Sequence, residues 1–200
     1  IVTSLKQEMQ ITLASAEVLF ERVADNADIL SEQFLTEYEL IVRSKSVNST
    51  FDRWFEETSP GVMRLKQAYF DGAMINDKTK VEGISAFVGL SDAPLDRERK
   101  ARLLAAALTL NKLGPAWSRM SSNSHLSMPE NALAIFSEDT PWGRMVDKDL
   151  IMTDYSVLRS ASQAENPRRL PNWTGLYYDE SADAWTVTYQ RPIDQAGKHL

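Results

Sequence analysis

Arg168-Arg169-Leu170-Pro171-Asn172-Trp173-Thr174-Gly175-Leu176-Tyr177-Tyr178-Asp179, followed after five residues by Trp185-Thr186-Val187-Thr188-Tyr189-Gln190-Arg191-Pro192-Ile193, places two aromatic and β-branched runs on either side of a polar segment. Such runs favour extended backbone, and Glu180-Ser181-Ala182-Asp183-Ala184 between them favours a turn, so the stretch reads as a β-hairpin. Alternate side chains of a strand share a face. Trp173, Gly175, Tyr177 and Asp179 then fall on one side and Tyr178 on the other. A phenol and a carboxylate side by side make a hydrogen-bonding wall for a pocket. The other reading takes the aromatics as core and Asp179 as the start of the turn.

Working outward, residues 1–45 contain neither Pro nor Gly, which predicts one long helix. Ala16, Phe20, Val23, Ala27, Leu30 and Phe34 step by fours and threes, with Leu5 and Met9 behind them and Tyr38 and Ile41 ahead. At about 1.5 Å per residue such a helix is roughly 65 Å long, more than the width of a small domain. Two readings follow: a helix packed wholly on its own domain, or one whose far half projects as a stalk and pairs with a second copy.

Residues 46–61 predict a short helix over Phe51, Trp54 and Phe55, then a Pro-Gly stop. Residues 83–90 read as a strand bounded by glycines, and Ala132-Leu133-Ala134-Ile135-Phe136 as a buried strand. Between them, residues 95–113 predict a helix capped by Ser91 or Asp92 and ended by Gly114-Pro115. Its basic first half opposes the helix dipole and calls for acidic or solvent compensation. Residues 118–128 read as a polar connection, and 139–172 as a loop-rich stretch with a short helix near 156–161.

Composition narrows the chemistry. With 43% hydrophobic and 25% charged residues and a net charge of −6, the chain is ordinary for a globular protein and has no basic stripe for nucleic acid. The apolar run at residues 103–108 is too short to span a bilayer. Cysteine is absent, which excludes disulfides, thiolate catalysis and cysteine-based zinc sites. The two histidines, His125 and His199, lack helical metal-ligand spacing, and Asp179, Glu180 and Asp183 do not match a calcium loop. No cofactor is expected.

The order W-T-x-x-Y-Y-D, turn, W-x-V-x-Y-x-x-P-I, D-x-x-G-K, with N-P-R-R upstream, resembles the double Cache family of extracytoplasmic sensor domains in bacterial receptors. The resemblance implies an α+β fold: a long N-terminal signalling or dimerisation helix over 1–45, then a PAS-like membrane-distal lobe over 46–200 with a central antiparallel sheet flanked by helices. It implies that the last strand and the membrane-proximal lobe lie outside this chain. It further implies a non-catalytic periplasmic small-molecule sensor of an inner-membrane protein, controlling a cytoplasmic diguanylate cyclase or histidine kinase. Such a domain forms a homodimer through its helix and meets the membrane only through segments outside this chain. A structural dimerisation ectodomain without a ligand is the alternative. The site residues carried over are Tyr155, Tyr177 and Asp179, with Trp173 and Arg169 as further lining. Met152 stands where the amino-acid-binding branch has its carboxylate-holding Arg, which argues against an α-amino acid as ligand.

Overall fold

The computed structural model describes residues 2–179 and 184–200, with side chains from residue 5 onward. It is an α+β fold in which a long N-terminal helix leads into an antiparallel sheet with helices against it. Helix α1 runs Val2–Val42, α2 Val47–Trp54, strands β1 Phe55–Ser59 and β2 Val62–Leu65. Then come α3 Ala68–Asp71, β3 Ala73–Asn76, β4 Thr79–Val81, β5 Ile84–Val88, α4 Arg97–Trp117, β6 Ser124–Met128 and β7 Ala132–Phe136. The remainder is α5 Trp142–Met145, a 3-10 turn Met152–Asp154, α6 Ser156–Arg159, and the short strands β8 Asn172–Trp173, β9 Tyr177–Asp179, β10 Ala184–Thr186, β11 Tyr189–Gln190, β12 Asp194–Gln195 and β13 Lys198–His199.

Five strands form the central sheet in the order β1-β2-β5-β7-β6, with every pairing antiparallel. The apolar composition of β5 and β7 places them inside it, buried on both faces. One face packs Ile84, Ala86, Ala134 and Phe136 against α1, α2 and α4. On the other, Phe87 and Val62 pack on Met152, Leu150 and Leu158 from the loop-rich stretch. Asn131, in the turn between β6 and β7, fastens that stretch in place. Its φ of 57° aims an amide that donates to the carbonyls of Leu90 (3.0 Å) and Leu150 (2.9 Å) and accepts from the Met152 N–H (2.9 Å).

Helix α1 is divided along its length. Leu30, Phe34 and Tyr38 are buried in the same core as α4. Leu5, Met9 and Leu13, which continue the stripe towards the N-terminus, are 57%, 58% and 62% exposed. The expected stripe is therefore present throughout and covered by this chain only over its second half. Among the described residues, no helix is long and apolar enough to cross a membrane.

Several boundaries differ from expectation. Helix α4 continues through Gly114-Pro115 to Trp117, because Gly114 lets it lie directly on β7; a Cβ there would stand 2.3 Å from Phe136 Cγ. That packing outweighs the hydrogen bond proline cannot make. The cap of α4 is Asp96, whose Oδ1 accepts from the Arg99 N–H at 2.8 Å, and not Ser91 or Asp92. Pro60-Gly61 turns the β1–β2 hairpin, with Gly61 at φ 76°, and does not end a helix. The polar connection at 118–128 contains strand β6, with Leu126 and Met128 turned into the core. The strand expected over 173–179 is interrupted: Trp173 ends β8, paired with β11, and Tyr177 begins β9, paired with β10. The hairpin itself is present, with Tyr178 opposite Trp185, while its connecting residues 180–183 lie outside the described residues.

Candidate functional site

None of the five residues expected at a site lines either of the two cavities described below. Tyr155 is 57% exposed at the start of α6, where its backbone N–H donates to the Met152 carbonyl. Trp173 meets Phe20 of α1 edge to face at 4.8 Å and Tyr189 at 5.0 Å. It fastens the C-terminal segment to the helix. A double-mutant cycle on Phe20→Ala and Trp173→Ala, followed by urea unfolding, is expected to give a coupling of about 0.5–1.5 kcal/mol. Strictly additive losses would mean that the pair does not hold the two elements together. Tyr177 shares a 2.8 Å hydrogen bond with the Thr188 hydroxyl.

Arg169 stands behind Ala161, a lining residue of the cavity described below. Asn166 sets up the turn that carries Arg169: its carbonyl accepts from the Arg169 N–H, and its side chain brackets Leu170 from both sides. Arg169 takes a φ of 53° there. Its Nε pairs with Asp194 at 2.8 Å, its Nη1 donates to the Ala161 carbonyl at 2.5 Å, and its buried Nη2 has no hydrogen-bond partner. The charge of Arg169 bears on His199, and the charge of Asp179 bears on His125.

Those two histidines mark the site. A half-open cavity of about 110 Å³ runs along the free edge of β6, flanked by α1, α6 and the C-terminal strands. Phe34 reaches it from α1, His125 and Ser127 from β6, Leu158 from α6, and Arg191 and His199 from the C-terminal segment. The chain has two histidines, and both line this space. On β6 the period of two sends Leu126 and Met128 into the core, while His125 and Ser127 alternate with them.

The polar groups are only partly satisfied. His125 Nδ1 donates to Asn123 Oδ1 at 3.2 Å, leaving Nε2 as its second polar atom. Ser127 Oγ is buried without a hydrogen-bond partner. A hydroxyl taken out of water with nothing to bond is costly, so it marks a place for a polar ligand atom. Gln190 is engaged at both ends of its amide, accepting from the Ser160 hydroxyl and donating to the Val157 carbonyl. Arg191 pairs through Nε with Asp28 of α1 at 2.8 Å. Burial pushes the His125 imidazole below its ordinary pKa, against the pull of Asp179. Burial does the same at His199, helped by Arg169 and opposed by Asp194 and Glu130.

A second cavity, about 90 Å³, lies between the end of α1, α2 and α4 and is lined mainly by Ile41, Val47, Trp54, Leu104 and Leu108. It offers few polar groups to orient a ligand. Among the described residues, no cluster of three or more His, Asp or Glu side chains gathers as a metal site. His125, Ser127 and His199 were not predicted at the site. The one signal available was the alternation Ser-His-Leu-Ser-Met, a half-buried strand pattern inside a segment rich in serine. No family model, curated protein or solved structure matches the chain.

Proposed function

We propose that this chain is the membrane-distal part of a double Cache, PAS-like sensor domain, the periplasmic portion of an inner-membrane receptor. Its output is a cytoplasmic diguanylate cyclase or, as the second choice, a histidine kinase. The domain performs no chemistry of its own. It binds a small molecule and passes the result to α1.

One observation carries this reading: the cavity takes its walls from both the lobe and the buried half of α1, while the other half of the same helix leaves its apolar stripe uncovered. A ligand touching Phe34 and β6 together favours one seating of the helix on the lobe. Differential binding of about 1–3 kcal/mol is enough to shift such an equilibrium. The Asp28–Arg191 pair and the Phe20–Trp173 contact tie the same helix to the C-terminal segment, so the cavity sits inside the joint. The uncovered stripe at Leu5, Met9 and Leu13 suits a second copy of the helix, since two such stripes bury each other.

The absence of cysteine makes the test clean. A single Glu17→Cys substitution carries a spin label on the exposed face of α1. The expected result is a measurable distance between two labels that is lost on Leu13→Glu and shifts when a ligand is added. In a thermal-shift screen, that ligand at about 100 times its dissociation constant should add about 2.7 kcal/mol of stability. A label distance indifferent to every ligand that binds would leave a structural ectodomain in place of a sensor.

A further inference from the structure

We propose that the cavity along β6 takes a small monocarboxylic acid with a short aliphatic body and no ammonium group, its carboxylate facing Arg191, His125, His199 and the Ser127 hydroxyl. This rests on the sensor reading above and names the ligand class for the same cavity.

Charge is the first argument. The chain as a whole carries −6, yet among the described residues lining the cavity none is an Asp or a Glu. Its formally charged member is Arg191, and the two imidazoles beside it gain positive charge on protonation. Arg169 stands behind the Ala161 wall with Nη2 unpartnered. An ammonium would meet Arg191 and two imidazoles with no Asp or Glu side chain in the wall itself, and Asp28 is already paired with Arg191, so an α-amino acid is a poor occupant; a carboxylate meets donors.

Shape and polarity are the second. Apart from these groups the walls are hydrocarbon: Phe34, Leu126, Met128, Leu158, Ile193 and Leu200. The volume, about 110 Å³, is several times the roughly 10–15 Å³ that one water needs by the same measure, which leaves room for a carboxylate with a short chain. The buried Ser127 hydroxyl supplies a donor that has no protein acceptor.

Binding is linked to protons. The groups facing His125 are Asn123, just before its own strand, and Asp179 on β9. Those facing His199 are Arg169 and Asp194 from the C-terminal region, Glu130 from the β6–β7 turn and Arg102 from α4. Burial holds both imidazoles in the neutral form near neutrality. A bound carboxylate stabilises the imidazolium, so the complex holds protons more tightly than the free protein. Affinity therefore rises as pH falls through the imidazole range.

Three probes of one shape test this: butyrate, butyramide and n-butylammonium, titrated into the 200-residue chain at about pH 5.5 and about pH 8. Butyrate is expected to bind about tenfold more tightly at the lower pH, and butyramide more weakly with no pH dependence. The butylammonium ion should not compete. Because the chain has only two histidines, their imidazole C–H resonances report the site directly. Both apparent pKa values should rise when butyrate is added, and His199→Gln should flatten the pH dependence. Ser127→Ala should weaken butyrate without lowering the melting temperature of the ligand-free chain, since the hydroxyl it removes is buried without a partner. The assignment is overturned if the amide or the ammonium binds as tightly as butyrate, if none of the three binds, or if butyrate leaves both resonances unmoved. Butyrate binding with no change in the α1 label distance would keep this assignment and remove the sensor reading. A response to some other ligand class would do the reverse.

Discussion

Replacing Glu130 with leucine is expected to cost about 3–5 kcal/mol, a large part of the stability of an ordinary domain. Glu130 lies in the turn between β6 and β7 and receives both ends of the Arg102 guanidinium, Nη2 to Oε1 at 2.5 Å and Nη1 to Oε2 at 3.1 Å. The Arg102 side chain is only 3% exposed. Arg99, one turn away on α4, donates to the Glu130 backbone carbonyl and to the Ala93 carbonyl. Without the carboxylate, two buried guanidinium groups lose their counter-charge, and their Nε atoms already lack partners. The double variant Arg102→Met, Glu130→Leu should recover part of the loss, because it removes the guanidinium paired directly with the carboxylate and leaves only Arg99, which keeps its carbonyl partners. Urea unfolding of the three proteins measures it. A single variant as stable as the parent would mean that the pair is solvated and carries no structural charge.

The same pair sets an acid limit. Burial disfavours the charged Glu130 carboxylate, but the hydrogen bonds and charge of Arg102, with Arg99 behind it, outweigh this and hold its pKa below the ordinary glutamate range. A carboxyl whose folded pKa is depressed stabilises the fold above its unfolded pKa, and that contribution is lost as pH falls through the folded value. Unfolding below about pH 4 should therefore be shallower in Glu130→Leu than in the parent.

Gly143→Ala is expected to destabilise by about 3 kcal/mol and to loosen the segment 141–152 from the sheet. The added methyl would come within 2.5 Å of the Ala86 nitrogen and 2.7 Å of its Cα, backbone atoms of β5 that cannot give way. Gly143 also donates its N–H to the Ser85 hydroxyl and accepts from Arg64 Nη1 at 2.7 Å. Arg64 is buried, lies over the Phe87 ring at 4.9 Å, and bonds the Val146 carbonyl with its other arm. Lifting the glycine strands that guanidinium and uncovers Phe87. Amide exchange across 141–152 should accelerate more than exchange in β7. Unchanged protection there would mean that the loop does not depend on this close approach.

Much of the architecture was readable from local pattern. Helix α1 follows a helical stripe, β5 and β7 are short apolar runs, and the aromatic hairpin is marked by its β-forming residues, so each element is legible from its own residues. The readings that failed involve residues whose local preference points one way and whose neighbours point the other. Pro115 belongs at a helix end until Gly114 brings α4 onto Phe136. The serines of β6 suggest a loop until β7 offers a partner edge. The expected site residues come from the strand motif and the stretches before it, whereas the cavity described here draws on α1, β6, α6 and the C-terminus. No single stretch carries it.

What the sequence by itself determined is the set of elements with their own period: a helix with one unbroken apolar stripe, a buried pair of strands, an aromatic ribbon. Burial of hydrocarbon on one face is written in local spacing and needs no distant information. Only the tertiary structure decided which half of that stripe is covered, and that His125 and His199 share one cavity. The reason is physical: an imidazole or a hydroxyl acquires its chemistry from the charge, burial and hydrogen-bond partners around it, and here those arrive from elements scattered along the whole chain.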